Sequence, residues 1–322
     1  MAKTAKSSGS QTKTTRKTKP KPIPAVRYLR YQFDLPDNNE ASFYIDLARD
    51  LSAINRRLMR QGRVYHIKSV SFLSRDTPNA GNYVQLCTVP DSWAARGAWR
   101  RGFQLHNTMI ANATDKNFAR GKFDDFKVYM DEDMRSAATL GALLVPKDSA
   151  NNAVSLGEWT YSKYVAPTAA AGVADEYNAH FLGDHGGAAG AYTSIGLIKS
   201  YGEGRATITK SPTVQTDASD DPLVNLFDHG DTVNDILNNM ENDADDPPYD
   251  IDNYGGDDAN MPKSIVVKQS VLVDGKATVV GFSALCGLLE VEAQSSAPGT
   301  DTITMIVELK EGNYRGIAAE VI

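Results

Sequence analysis

The side chains best suited to catalysis or metal binding form no recognisable motif in this sequence. The five histidines are His66, His106, His180, His185 and His229. No two of them form a His-Glu-x-x-His pattern, so we expect no zinc site. Cys87 and Cys286 lie in apolar, strand-like runs, and we expect both to be buried core residues rather than nucleophiles. Two cysteines also cannot build a disulfide framework.

Motifs for nucleotide binding and acyl transfer are also incomplete. The run Gly-Glu-Gly-Arg at 202–205 lacks the third glycine of a phosphate-binding loop. The run Gly-Phe-Ser-Ala-Leu at 281–285 has leucine where a nucleophile elbow needs its second glycine. The chain has 40 Asp and Glu residues, but the sequence singles out no catalytic pair among them. We therefore expect no enzymatic activity.

Charge is distributed very unevenly along the chain. Residues 1–30 contain nine basic residues and no Asp or Glu. The nine are Lys3, Lys6, Lys13, Arg16, Lys17, Lys19, Lys21, Arg27 and Arg30. The remaining residues carry 25 basic and 40 acidic side chains, and 14 of these acids lie in residues 217–258, which hold no Lys or Arg. A basic end on an acidic body is typical of a protein whose terminal tail binds nucleic acid.

Residues 1–25 are predicted to be a flexible, basic, nucleic-acid-binding arm. They contain no aromatic residue, and Ile23 is their only Val, Leu or Ile, so they cannot bury enough apolar surface to fold. Because lysines neutralise phosphates without contacting bases, we expect the arm to bind the nucleic-acid backbone. The run Arg-Lys-Thr-Lys-Pro-Lys at 16–21 also suits a nuclear-import signal. A solubilising tail and a transit peptide are the alternative interpretations.

The acidic segment 217–258 is predicted to be an exposed outer loop. Its carboxylates repel one another unless solvent or a counter-ion screens them. Clustered carboxylates on an irregular backbone also suit Ca²⁺, which is the alternative interpretation and the only cofactor we consider. Residues 231–240 are expected to form a short helix whose apolar face anchors the segment to the folded body.

A two-faced helix is predicted between Ser42 and Gly62. Its apolar stripe consists of Leu47, Leu51, Ile54 and Leu58. The opposite face carries Arg49, Arg56 and Arg60. These arginines either extend the nucleic-acid contact of the arm or form a solvated face balanced by Asp46 and Asp50.

Strands dominate the predicted fold of residues 26–322. Period-two alternation and β-branched runs predict strands at 29–35, 64–73, 83–89, 123–130, 193–200, 205–209, 264–273, 277–292 and 302–310. Asp274-Gly275 marks a hairpin turn, and residues 92–120 are interpreted as a loop with helical turns. Many strands, long loops and no strand–helix alternation predict a single all-β, antiparallel jelly-roll sandwich with one or two short helices. No apolar run reaches the ~20 residues of a membrane span, so we expect no membrane partner.

The lysine-rich arm, its proline-rich exit at 20–24 and the loop-rich β-sandwich resemble the capsid proteins of small circular single-stranded DNA viruses that encode their own replication initiator. Two runs are similar to those of environmental, circovirus-like members. They are Asn-Arg-Arg-Leu-Met-Arg-Gln-Gly-Arg at 55–63 and Asp-Pro-Pro-Tyr-Asp-Ile-Asp-Asn-Tyr-Gly-Gly at 246–256. The arm is shorter and less arginine-dense than in the best-known circoviruses, and the loops are more acidic.

This resemblance implies a jelly-roll coat protein of the virion. It implies self-assembly into a closed icosahedral shell of about 60 copies or a small multiple, an arm that packages single-stranded DNA, and passage through the host nucleus. A host receptor would be a further partner. One alternative is the capsid protein of a small positive-strand RNA virus. Others are a carbohydrate-binding or hydrolytic β-sandwich with a basic tail, and a host nucleic-acid-binding protein.

Overall fold

The computed structural model describes residues 24–35, 39–74, 82–113, 121–140, 142–167, 174–188, 191–204, 254–258, 263–295 and 301–322. The predicted arm lies outside these residues except for positions 24 and 25. The acidic segment lies outside them except for positions 254–258, and the strand predicted at 205–209 lies outside them entirely.

Strands predominate in the described residues, and they are accompanied by four helices. The strands are β1 (Tyr28–Leu35), β2 (Glu40–Asp46), β3 (Arg63–Ser74), β4 (Tyr83–Thr88), β5 (Lys163–Pro167), β6 (Ala174–His180), β7 (Gly186–Ala188), β8 (Ala191–Gly196), β9 (Ile265–Val271), β10 (Lys276–Leu285), β11 (Leu288–Gln294), β12 (Asp301–Leu309), β13 (Glu311–Gly312), β14 (Gly316–Ile317) and β15 (Ala319–Val321). The helices are α1 (Leu47–Asn55), α2 (Trp93–Ala113), α3 (Glu132–Leu140) and α4 (Leu197–Glu203).

Nine of the strands form two antiparallel sheets of a sandwich. The first sheet has the order β1-β12-β3-β10, with β15 also pairing with β3, and the second has the order β2-β11-β4-β9. Each strand of the first half of the chain pairs with its counterpart from the end: β1 with β12, β2 with β11, β3 with β10 and β4 with β9. Such nested pairs form one long antiparallel ribbon rolled into two sheets, which is jelly-roll connectivity. The prediction of an all-β, antiparallel sandwich is therefore confirmed, and the strand order is consistent with a jelly roll.

The core of the sandwich lies between the two sheets and follows the period-two pattern of the sequence. In β12, every second residue from Asp301 to Leu309 is buried. In β1, Leu29, Tyr31 and Phe33 point the same way and join the same apolar cluster. Burying each such side chain stabilises the fold by roughly 1.5–3 kcal/mol, so alternation in these strands fixes which face points inward.

A large insertion, residues 89–264, separates β4 from β9. It contains α2, α3, α4 and a small sheet of order β5-β6-β8-β7, in which β6 and β8 run parallel. A second apolar cluster joins this insertion to the end of the sandwich, where Trp99 and Phe126 pack with Leu285 and Leu288. None of the described helices is both long and apolar enough to cross a bilayer.

Several predicted elements differ from those observed. The helix predicted to begin near Ser42 begins at Leu47, because residues 40–46 pair with β11 as a strand and Asp46 caps the helix. The strand predicted at 123–130 is irregular, with one isolated bridge at Tyr129. Residues 93–113, interpreted as a loop, form the 21-residue helix α2. The expectation of one or two short helices was therefore too low.

Turn chemistry explains two further outcomes. Asp274 and Gly275 have positive φ angles of 52° and 69° and form the predicted hairpin turn. The single strand predicted at 277–292 is divided by a second turn at Cys286 and Gly287, where φ is 58° and 71°. A cysteine is an uncommon turn residue, so this turn carried little sequence signal.

Candidate nucleic-acid interface

The root of the arm lies against the C-terminal end of α1. The Val26 amide donates to Asn55 Oδ1 at 2.8 Å, and Asn55 Nδ2 donates to the Val26 carbonyl at 3.1 Å. The Arg27 guanidinium forms a salt bridge with Glu311 at 3.1 Å. Ala25 packs against the core of the sandwich. The chain is therefore fixed to the body two residues before β1, beside the first residues after α1.

The candidate basic residues of the sequence divide into three groups. Lys3, Lys6, Lys13, Arg16, Lys17, Lys19 and Lys21 lie outside the described residues. Arg27 and Arg56 adjoin the arm root, since they directly follow Val26 and Asn55, and Arg60 lies in the loop after α1. Arg30 lies further along β1, and its guanidinium donates to the Asp148 carbonyl at 2.7 Å.

Arg49 corrects the prediction of an exposed arginine face on α1. Its side chain is 6 % exposed, its Nε donates to Asp50 at 2.8 Å, and its Nη2 donates to the Leu144 carbonyl. The helix is covered on this side by residues that follow α3, which sequence periodicity does not detect. Arg49 is thus a buried, paired residue that holds elements together, and its charge is already balanced by Asp50.

A cluster of arginines follows α1, and we call it the arginine cluster: Arg56, Arg57, Arg60, Arg63 and Arg315. Arg56 caps α1 in the left-handed conformation with φ of 51°. The Arg63 guanidinium lies 3.6 Å from the centroid of the Tyr314 ring, and Arg315 donates to the Leu58 carbonyl. Sequence reasoning placed Arg57 at the flank of the predicted arginine face, did not single out Arg63, and missed Arg315. The first two stand in the same run as Arg56, whereas Arg315 joins them only through the C-terminal β13–β14 turn.

Most of the positive charge in the arginine cluster is not balanced. Arg60 forms a salt bridge with Asp125 at 3.0 Å. The other four members form no salt bridge with any described residue. The loop after α1 therefore presents net positive charge at the point where the basic arm joins the body.

A cavity of about 280 Å³ opens beside the C-terminal end of α1. Its basic lining residues are Arg49, Arg56, Arg57 and Lys127. Phe123 and Trp159 contribute aromatic walls, and Glu158 is the only acid among the described residues that line it. The cavity thus combines cationic and aromatic side chains within the arm-root region.

Lys127 is the most unusual side chain of this cavity. It is 8 % exposed, and its Nζ lies 4.5 Å from the centroid of the Trp159 ring. Its backbone is held on both sides by Ser162: the Lys127 amide donates to Ser162 Oγ at 3.0 Å, and its carbonyl accepts from the Ser162 amide at 2.8 Å. Because it falls in the run expected to be a strand, the sequence did not single it out.

The buried carboxylate of Asp46 holds together the elements that surround this cavity. Asp46, which caps α1, accepts from Trp159 Nε1 at 3.0 Å, from the Tyr161 hydroxyl at 3.1 Å and from Gln61 Nε2 at 3.2 Å. Burial raises the pKa of Asp46. One side chain therefore links α1, the loop after it and residues 159–161 of the insertion.

The sequence also missed a cluster on the outer face of the second sheet. The register of β4 and β11 places Cys87 opposite Glu290, and the ligand atoms of Cys87, Glu290 and Glu292 lie within 4.8 Å of one another. Tyr44 and Ser264 donate to Glu290 at 3.3 and 2.6 Å. Burial raises the pKa of the Cys87 thiol to about 12, which keeps it protonated at neutral pH.

The four described histidines are not brought together as one site. His66 contacts Ser283 and Glu320, His185 contacts Glu203, and the buried His180 contacts the Leu182 carbonyl. His106 lies on α2, and His229 lies outside the described residues. Cys286, like Cys87, is buried and unpaired.

The end of the acidic segment is packed into the body, which corrects the outer-loop prediction for residues 254–258. Tyr254 and Asp257 are buried, and the Tyr254 amide donates to Asp257 Oδ2 at 2.7 Å. Gly256, with φ of 104°, lies against Leu182 and Ile198, where a side chain would not fit. The rest of the segment, including the candidate Ca²⁺ ligands before position 254, lies outside the described residues.

Comparison of the chain with models of protein families, with curated proteins and with solved structures finds no match. The function is therefore argued from the residues and geometry of the chain itself.

Proposed function

We propose that this chain is a non-enzymatic viral capsid protein that self-assembles into a closed icosahedral shell and packages single-stranded DNA through its basic N-terminal arm. The observation that carries the proposal is the position of the arm root. A lysine-rich segment joins the first strand of a jelly roll directly beside the unbalanced arginine cluster. The arm and the cluster can therefore contact one nucleic acid from one side of the subunit.

Charge supports this arrangement. The arm is a polycation without an opposing acid, whereas the rest of the chain is acidic. Such a polycation releases counter-ions from phosphates and binds without base-specific contacts. The acidic body repels the same phosphates except at the arginine cluster, so nucleic acid is directed to the arm side of the subunit.

The sheet edges support subunit contacts. β9 and β10 are the terminal strands of their sheets among the described residues, and the turn at 274–275 joins them. Four valines are exposed along this edge: Val266, Val271, Val273 and Val280. Val280 is 76 % exposed although its neighbour Val279 is buried in the core. Exposed apolar edge strands are typical interaction surfaces, and a repeated subunit can cover them in a closed shell.

The proposal places the protein in the virion, with the 16–21 run directing it to the host nucleus during assembly. Phosphate contacts do not distinguish DNA from RNA. The resemblance favours single-stranded DNA, and an RNA genome is the variant of the proposal that the experiment separates.

Electron microscopy and sedimentation of the purified full-length chain test the proposal. We expect closed particles of about 60 subunits or a small multiple, containing nuclease-resistant nucleic acid. Nucleic acid extracted from disrupted particles is digested separately with DNase and RNase, which identifies the genome type. A monodisperse monomer across a range of salt concentration and pH would overturn the proposal.

A further inference from the structure

We infer that the cavity beside α1 binds one nucleotide of single-stranded nucleic acid, with its phosphate at Lys127, Arg56 and Arg57 and its base on Phe123. This inference rests on the proposed function and names a contact that the folded body makes in addition to the arm. It gives the body a means of selecting single strands, which a flexible polycation lacks.

Lys127 provides the first argument, because its largely buried side chain carries a positive charge that no described carboxylate balances. Burying a cation is unfavourable unless an anion or hydrogen-bond acceptors compensate. Lys127 is 8 % exposed, and no described carboxylate lies within salt-bridge distance of it. Its Nζ contacts the Trp159 ring, and the residue lines the cavity. An anion that enters the cavity supplies the missing charge.

The other charges of the lining also favour an anion. Arg56 and Arg57 are cationic lining residues without a salt bridge in the described chain, whereas Arg49 is balanced by Asp50. Glu158 is the one opposing acid of the lining, and it is exposed. Three unbalanced cations against one exposed acid leave the cavity with net positive charge. A phosphate is the anion that basic clusters of this type bind.

A second cavity is less suited to a phosphate, because its described lining holds three carboxylates against the two lysines Lys122 and Lys127. This cavity of about 610 Å³ shares Phe123, Lys127 and Glu158 with the first one. It also contains the carboxylates Asp124 and Asp125, which repel a phosphate. The first cavity is therefore the cationic one and the second is the polar, acidic one, and Phe123 lies between them.

Phe123 provides the surface for a base. It is 65 % exposed, which is unusual for a large apolar ring in a monomer, and it lines both cavities. Every base can stack on an aromatic ring, and combining such stacking with cations is how proteins bind single strands without sequence preference. A base in a duplex is stacked on both sides and cannot reach this ring without being flipped out. The site therefore selects unpaired nucleotides.

The arm root lies close enough for both contacts to act on one strand. Asn55, which holds Val26, directly precedes the cavity residue Arg56. A strand whose backbone is bound by the arm is thus held near the cavity at high local concentration, which strengthens the second contact.

Fluorescence anisotropy on the full-length chain tests the inference with two probes, a labelled pentathymidylate and an abasic oligonucleotide of equal length and charge. The variants are Lys127→Met and Phe123→Ala, and Lys276→Met is the matched control. Lys276 is exposed and pairs with Leu73. Leu73 lies ten residues along β3 from Arg63, so Lys276 is roughly 33 Å from Arg63. Near-UV circular dichroism verifies that each variant is folded. Because Phe123 is exposed, we expect Phe123→Ala to fold, and it tests the inference even if Lys127→Met does not fold.

We expect the wild-type chain to bind pentathymidylate roughly 5- to 100-fold more tightly than the abasic probe, the range for stacking one base. Phe123→Ala should remove this preference, and Lys127→Met should lower the affinity for both probes about tenfold. The control should match the wild type. If wild type and variants bind both probes equally, the inference is overturned although particles still form. If the wild type forms no particles, the proposed function fails independently of the probe affinities.

Discussion

At the scale of single residues, the half-buried carboxylate of Asp131, at the junction between sandwich and insertion, makes stability depend on pH. Asp131 caps α3 by accepting from the Met134 amide at 2.7 Å and also accepts from the Tyr44 hydroxyl at 3.3 Å. Burial, reinforced by Glu290 and Asp133, raises the pKa of Asp131 to about 7. Its ionised form is therefore destabilised in the folded protein relative to the unfolded chain.

The sign of the resulting pH dependence follows from proton binding. Between about pH 4 and 7 the folded state holds a proton on Asp131 that the unfolded state has lost, so this group's contribution to stability falls as pH rises through 7. Asp131→Asn keeps the capping oxygen and removes the charge. We expect Asp131→Asn to be more stable than wild type at pH 8 by on the order of 1–3 kcal/mol, since each pKa unit corresponds to ~1.4 kcal/mol. The difference should shrink towards zero near pH 4.

Urea denaturation of both chains at pH 5 and pH 8 measures this difference. Glu158→Gln, which removes an exposed carboxylate that is not among the groups acting on Asp131, is the control and should show no comparable rise between the two pH values. Equal stabilities of wild type and Asp131→Asn at pH 8 would mean that Asp131 is solvated there rather than buried.

Single residues also show where sequence reasoning stops. The periodicity that placed Arg49 opposite the apolar stripe is correct for the helix itself. That face is nevertheless buried, because residues about 95 positions later, at Leu144, pack over it. Lys127 falls in a run whose period-two alternation predicted a strand, but its position depends on Ser162 and Trp159 from another loop. Burial of a charged residue by a distant loop is a tertiary property, and local patterns do not contain it.

At the scale of elements, the contact between Gly62 and α2 fixes the insertion to the loop that carries the arginine cluster. A Cβ at Gly62 would lie 2.5 Å from Trp99 Cζ2 and 2.6 Å from Cη2, well inside contact distance. Trp99 itself packs on Phe103 and Phe126, so the ring has little freedom to move. The absence of a side chain at position 62 is therefore required by this packing.

We expect Gly62→Ala to destabilise the protein by about 1–3 kcal/mol, as overpacking of a filled core does. Gly157→Ala is the matched control, because nothing lies within 4 Å of a Cβ built there. Urea denaturation monitored by tryptophan fluorescence measures both. If the two alanine variants were equally stable, the contact between Trp99 and Gly62 would not hold the insertion in place.

Elements whose sequence pattern agrees with their tertiary environment were predicted well. β12 alternates buried and half-buried residues as its sequence does, and the Asp274-Gly275 turn has its expected geometry. Elements that depend on distant partners were not predicted well. Residues 40–46 carry part of a helical pattern, but hydrogen bonds to β11 make them a strand, and this pairing joins residues about 250 positions apart. Helix α2 was missed because arginines interrupt its apolar stripe.

At the scale of the whole molecule, the sequence predicted the sandwich but not the insertion that accompanies it. The nested strand pairs connect opposite ends of the chain, and the 89–264 insertion extends from the innermost link of that ribbon, between β4 and β9. An insertion there leaves every strand pair of the ribbon intact, so the jelly roll tolerates it. The candidate site shows the same division: Arg56 was singled out from the sequence, whereas Lys127, Phe123 and Arg315 required the fold.

The separation of charge across the molecule gives a quantitative prediction for nucleic-acid binding. Deleting residues 1–23 removes seven basic side chains and no acid while keeping Val26 and its contacts with Asn55. For a single-stranded nucleic acid, the logarithm of the binding constant falls with the logarithm of salt concentration by ~0.7 per neutralised phosphate, so seven lost contacts lower the slope by about 5. Anisotropy titrations of a 30-nucleotide strand at several salt concentrations measure the slope for both chains.

A full-length variant in which the same seven residues are replaced by glutamine separates charge from length. We expect it to match the deletion, because counter-ion release depends on the number of charges and not on the arm's sequence. The weaker, less salt-dependent binding that remains should come from the arginine cluster and the cavity, and it should be reduced further by Lys127→Met. A slope unchanged by either alteration would show that the folded body, rather than the arm, neutralises the phosphates.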